Sequence, residues 1–186
     1  MRIPLTAGLL LLIVAGAAVP AGAAQSAPTS VVVSGGLLGV ATAEVKDFAV
    51  ITLSGDTQTA QAALDPIAVT DARGSGEGWT LKLQATIFRE WDRYAYVSGG
   101  KALPEGSLSL AGFSLTKDGS HSDAPQVAAG PYILDRGEVT VAVAGIGAGM
   151  GRFIFSPTAA LQVAVPASAY ARTYRSDLSL SVTSGP

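Results

Sequence analysis

The chain has 186 residues, with 12 Lys+Arg against 14 Asp+Glu for a formal net charge of −2, one His and no Cys. The absence of cysteine excludes disulfides, zinc–thiolate sites, thiol nucleophiles and lipid-modified cysteine anchors, and a single imidazole excludes zinc sites that need two. An acidic balance without any basic run argues against electrostatic binding to nucleic acid, while 22 Gly and 10 Pro point to a turn-rich, packed β protein.

Met1-Arg2 is a short charged start, Leu5 to Val19 is apolar, and Pro20-Ala21-Gly22-Ala23-Ala24 supplies a break followed by small residues. That order reads as a secretory signal peptide over residues 1–24, cleaved after Ala23 or Ala24. Its apolar run is shorter than the ~20 residues that span a bilayer. Residues 25–30 then form a short leader, and 31–186 a single domain of a size that its own core can stabilise. No later stretch is long and apolar enough to cross a membrane, and Ser184-Gly185-Pro186 carries no hydrophobic tail or sorting signal. The expected mature product is therefore secreted, without a membrane span or covalent attachment.

Within the domain the clearest period is two. Trp79, Leu81, Leu83, Ala85 and Ile87 fall on one face of a strand, with Thr80, Lys82, Gln84 and Thr86 on the other, the pattern of a half-buried antiparallel strand. The same alternation runs through Leu108–Leu110, Phe113–Leu115, Val139–Val143, Leu161–Val165 and Leu178–Val182. Weaker strand patterns lie at Val31–Val33, Phe48–Leu53, Ile67–Thr70 and Arg152–Phe155. Gly, Pro, Ser and Asp clusters separate them, and no dozen residues outside the signal keep a helical period. Many short strands with frequent turns imply an all-β, antiparallel β-sandwich, Ig-like or related.

Catalytic patterns are sparse. Ser98-Gly99-Gly100-Lys101 and Ser114-Leu115-Thr116-Lys117 spell S-x-x-K, but one is a glycine loop and the other a strand end, whereas that chemistry needs a helical turn. His121 sits in a polar stretch with no nucleophile-elbow string to serve. Gly145-Ile146-Gly147-Ala148-Gly149-Met150-Gly151 breaks the dinucleotide spacing at Met150 and reads as a structural turn. Glu90 and Asp92 resemble a glycosidase carboxylate pair, yet Arg89 and Arg93 flank them, as in a solvated loop with local ion pairing. No cofactor or metal site emerges, so an enzyme is the least supported class.

Phe88-Arg89-Glu90-Trp91-Asp92-Arg93-Tyr94-Ala95-Tyr96 interleaves aromatic rings with both signs of charge. Trp91, Tyr94 and Tyr96 either offer an interface to a sugar or a protein, or simply cover a sheet edge.

Three stretches carry a family resemblance. Asp71-Ala72-Arg73-Gly74-Ser75-Gly76-Glu77-Gly78-Trp79-Thr80-Leu81 is similar to the first signature of the WxL-domain proteins of Gram-positive surfaces, W-x-L being Trp79-Thr80-Leu81. Ala148-Gly149-Met150-Gly151 resembles the family's turn before a late strand. Tyr174-Arg175-Ser176-Asp177-Leu178-Ser179-Leu180-Ser181-Val182 resembles its closing Y-x-x-x-L-T-W-T-L signature, with Leu180 in place of the second tryptophan and Val182 in place of the following leucine. The resemblance implies a noncovalent wall-binding β-sandwich with peptidoglycan as ligand. It also implies partners, namely a membrane-anchored WxL-interacting protein and other surface proteins. Its motif residues are Trp79, Leu81, Tyr174, Leu178 and Leu180. Alternation puts Trp79 on the apolar face, as core; an exposed indole would instead stack on a glycan ring or enter a partner's groove. The other functional class left open is a structural or adhesive subunit that binds a protein by strand addition or through the Trp91/Tyr94/Tyr96 loop.

Overall fold

The computed structural model describes residues 30–41, 44–119 and 122–186. The signal peptide, all of the leader but Ser30, and His121 lie outside the described residues. Ser34–Pro186 is one compact unit, and it holds all the strands described below.

In chain order these are β1 (Leu38–Val40), β2 (Gln58–Ala62), β3 (Ile67–Asp71), β4 (Trp79–Ala85), β5 (Arg89–Asp92), β6 (Ala95–Tyr96), β7 (Leu108–Leu110) and β8 (Phe113–Asp118). They continue as β9 (Gln126–Val127), β10 (Tyr132–Ile133), β11 (Val139–Ala144), β12 (Gly151–Pro157), β13 (Leu161–Val165), β14 (Tyr174–Arg175) and β15 (Leu178–Ser184). A single 3-10 turn, Leu134–Arg136, separates β10 from β11. The sheets run β1-β3-β12-β8, β10-β7-β13-β2, β15-β4-β11-β9 and β14-β5-β6, with antiparallel pairing between the strands throughout. The fold is the all-β, sandwich-like arrangement that the alternating pattern predicts.

Packing follows the period. Ile67, Val69, Leu81, Phe153, Phe155 and Leu161 have no more than 1% of their surface exposed, and each alternates along its strand with a less buried neighbour or a glycine turn. The Trp79 indole is fully buried and lies 6.4 Å from the Phe153 ring and 6.2 Å, edge-on, from Phe155. These rings come from different sheets, so the indole is the bridge between the β4 and β12 layers.

Several local departures have physical causes. Val139, Val141 and Val143 do not share a face, because a bulge between Thr140 and Ala142 buries Val141 and Ala142 together and re-aims the rest of β11. Thr80 is buried rather than solvated, since the chain end folds over it and Gly185 O accepts its hydroxyl at 3.2 Å. Glu90 and Asp92 belong to strand β5, not to a loop. Val31–Val33 forms no strand and is 84–90% exposed. Phe48–Leu53 has strand composition but forms no ladder: Phe48 and Ile51 pack against the core, but its backbone bonding to the neighbouring edge ends at Ala49. Two-residue strands such as β9, β10 and β14 are too short to show any period.

The connection from β11 to β12 is set by the indole. Trp79 Nε1 donates to Gly149 O at 2.9 Å, satisfying the one polar atom of a buried ring. Gly149 has φ +74°, and a Cβ there would stand 2.4 Å from Ala144 Cβ and 2.6 Å from Trp79 Nε1. Gly149→Ala is therefore expected to destabilise the fold by about 2–3 kcal/mol, from overpacking and backbone strain together. Equilibrium urea unfolding checks this, and a variant as stable as wild type would contradict it.

Candidate functional site

The two signature stretches meet. β15 pairs with β4 so that Ser184 stands opposite Trp79, Val182 opposite Leu81, and Leu180 opposite Leu83. Trp79 and Leu81 are fully buried, and Leu178 and Leu180 are half-buried against the core. A ring with no exposed surface has nothing to present to a ligand while the domain is folded.

The glycine-rich approach to Trp79 carries a charged clamp that sequence reasoning passed over. Arg73 donates from Nε and Nη2 to the two oxygens of Asp71 at 2.9 and 2.8 Å, and from Nη2 to Gly78 O at 2.8 Å. Its Nη1 reaches Glu77 at 3.1 Å and the Ser184 hydroxyl, which in turn donates to Glu77 at 3.0 Å. One guanidinium thus ties the end of β3 and the approach loop to the final strand. Asp71 is 2% exposed. The hydrogen bonds from the Arg73 guanidinium hold its carboxyl below the usual range, against the opposing effect of burial.

The aromatic stretch folds as a hairpin. β5 and β6 place Trp91 opposite Tyr96 with the rings 4.9 Å apart and edge-to-face, and Arg93 takes φ 35° at the tip. The Arg175 guanidinium, from β14, lies 4.5 Å over the Trp91 ring, a cation–π contact. Arg175 also meets Asp177 at 3.2 Å, and the Tyr96 hydroxyl donates to the same carboxylate. Burial, then the bond to Asp177, pushes the Tyr96 phenol above its ordinary range. Tyr94 is 82% exposed and stands free of this cluster.

Beside the hairpin lies a groove of about 1260 Å³. One wall is the segment from Val45 to Leu53, the other the segment from Tyr170 to Leu178, and the floor includes Ala60, Leu108, Val163 and Val165. Phe48 packs edge-on against Phe88 at 5.7 Å beneath the first wall. On the second, Tyr174 donates to Tyr170 O at 3.1 Å, and Lys101 Nζ sits 4.5 Å over the Tyr170 ring. Arg172 pairs with Glu90 at 3.3 Å, so this carboxylate is held by a distant cation rather than by its sequence neighbours.

The sequence-selected residues therefore divide. Tyr174, Leu178 and Trp91 line the groove, while Tyr94 and Tyr96 belong to the adjoining hairpin. Trp79, Leu81 and Leu180 lie in the paired strands β4 and β15. Tyr170, Arg172 and Phe48 were missed as groove residues, because nothing in their local sequence signals a tertiary meeting. Among the described residues there is no cluster of three or more His, Asp or Glu side chains able to hold a metal, and no helix long and apolar enough to cross a membrane.

The family model for the WxL domain, described as surface cell wall-binding, matches residues 35–186. The chain belongs to the WxL domain family. The match takes in the Arg73 clamp, both signature strands and the groove. No curated protein and no solved structure matches the chain. Membership associates this WxL domain with the bacterial cell surface and wall.

Removing Arg73 would leave the buried Asp71 carboxylate without its cation, at an expected cost of about 3 kcal/mol near neutral pH. Because the folded-state carboxyl titrates below its unfolded value, its stabilisation is complete above roughly pH 4 and is lost as pH falls through the folded value. The melting-temperature gap between wild type and Arg73→Ala should thus narrow from about pH 7 to about pH 3. Circular dichroism melts read it, and a gap that does not change with pH would count against the clamp.

Proposed function

We propose that this WxL domain is a secreted, non-catalytic module that attaches noncovalently to the peptidoglycan of the bacterial cell wall. The observation that carries the reading is the family match across nearly the whole compact unit, from residue 35 to 186. The surface proposed to meet the wall is the β5–β6 hairpin, with Trp91, Tyr94 and Tyr96. The Tyr94 and Tyr96 rings are exposed and Trp91 is half-buried beside them, among hydrogen-bonding and charged side chains, a combination suited to the apolar faces and hydroxyls of a glycan. The signature strands would serve this surface by holding the sandwich together, with Trp79 and Leu81 as core rather than contact. A membrane-anchored WxL-interacting protein and other surface proteins are the partners that accompany such a module.

A hydrolytic role finds little support in the site. Glu90 is ion-paired with the Arg172 guanidinium at 3.3 Å and accepts the Lys101 backbone N–H at 3.0 Å. A carboxylate committed in this way is poorly placed to shuttle a proton.

Co-sedimentation with protein-free peptidoglycan sacculi tests the proposal, using the chain from Gln25 onward. Saturable pelleting is expected, reduced about tenfold or more by Trp91→Ala/Tyr94→Ala, with each variant verified as folded; a loss of that size corresponds to ~1.4 kcal/mol. Trp79→Phe, if it folds, should pellet like wild type. Folded wild-type protein that stays in the supernatant would refute wall attachment and leave the protein-binding subunit as the reading.

A further inference from the structure

Two segments without strand partners line the groove. Phe48-Ala49-Val50-Ile51-Thr52-Leu53 is rich in β-branched and aromatic residues, the composition of a strand. The chain leading into it bonds just past the end of β2, Lys46 N–H donating to Ala63 O at 2.9 Å, and its own Ala49 N–H reaches Gln61 O of β2 at 3.5 Å. From Val50 to Leu53, no backbone N–H or C=O has a hydrogen-bond partner among the described residues. On the second wall, the N–H groups of Tyr170, Ala171 and Arg172 are likewise unbonded among the described residues.

Exposed sheet edges are normally blunted by charges, prolines or bulges. Between Ala49 and Leu53 there are none. Val50 is 97% exposed, Leu53 and Val45 37%, and Tyr170 54%, so apolar side chains and unpaired backbone coincide along one groove. Beside it, Gln58, the ladder partner of the groove residue Val165, keeps its amide Oε1 buried without a donor.

We infer that the groove accepts an extended polypeptide segment of a partner protein, which adds as a strand along Val50–Leu53. Unpaired peptide groups are satisfied most fully by another peptide backbone. A sugar entering the groove would find the face of Tyr170 already carrying the Lys101 ammonium at 4.5 Å. At about 1260 Å³ the groove also exceeds the ~300–1,000 Å³ of ordinary small-molecule pockets. Charge completes the description of the occupant. The groove's lining carries Lys46, Arg172 and Arg175 against Asp47 and Asp177, a local positive surplus in a chain of formal charge −2. The fitting segment is apolar at alternate residues, towards the floor of Val163, Val165 and Leu108, and acidic where it passes Arg172 and Arg175.

The test is selection of a displayed random nonapeptide library on the chain from Gln25, followed by hydrogen exchange of the complex with the best synthetic peptide. Enriched peptides should alternate apolar residues with Asp or Glu, and slow exchange at the amides of residues 50–53. Val50→Lys and Thr52→Pro, which alter exposed positions, should each weaken the peptide at least tenfold, as should Arg172→Glu. Val50→Lys should still pellet with sacculi, so the docking groove and wall attachment are read separately. The inference is overturned by an absence of enriched peptides, by protection elsewhere, or by binding that Val50→Lys leaves unchanged. It is also overturned if soluble muropeptides, rather than peptides, slow exchange at residues 50–53.

Discussion

The hydrogen bond from a fully buried indole to the carbonyl of Gly149 is the constraint on which the rest of the domain rests. Burying Trp79 removes a large apolar surface from water, but its N–H must then find an acceptor inside the protein. The acceptor comes from the turn that ends before β12, and only a glycine fits there, against Ala144 and the indole itself. One side chain thereby sets the position of the β11–β12 turn and the register of the strands around it. Gly78, immediately before the indole, is under the same pressure: at φ +76°, a Cβ would meet Ala144 O at 2.2 Å. The glycines flanking the tryptophan pattern are thus steric requirements of burying it.

Around this centre the two signatures act as one element. Their strands pair over seven residues, from Leu178 opposite Ala85 to Ser184 opposite Trp79, and Arg73 locks the far end to Asp71, Glu77 and Ser184. The replacement of a tryptophan by leucine at position 180 is accommodated because that residue is half-buried beside Leu83, where an aliphatic side chain packs without a polar atom to satisfy. Family-defining residues here specify the fold, and the surfaces offered to partners lie elsewhere, on the hairpin and in the groove.

Those two surfaces adjoin through Trp91 and Arg175. Arg175 belongs to the closing signature, yet its guanidinium covers the hairpin tryptophan and borders the groove. A wall polymer on the hairpin and a peptide in the groove would therefore be close neighbours. In a protein without cysteine, such an arrangement must be held by packing, hydrogen bonds and partly shielded ion pairs alone.

The alternating apolar pattern marked β4, β11, β13, β15 and the first half of β8, with β12 a weaker pattern, and implied the all-β class, because period two and one buried face are properties of neighbouring residues. The tryptophan pattern and the late glycine turn were legible for the same reason. Sequence alone was silent on what depends on distant residues meeting: the bulge at Val141, the burial of Thr80 under Gly185, the Arg73 clamp and the Glu90–Arg172 pair. The groove is the plainest case. Phe48–Leu53 has every local property of a strand, and its composition was read as one. Whether a strand forms is decided by a partner edge within hydrogen-bonding distance, and the tertiary structure supplies that edge only as far as Ala49.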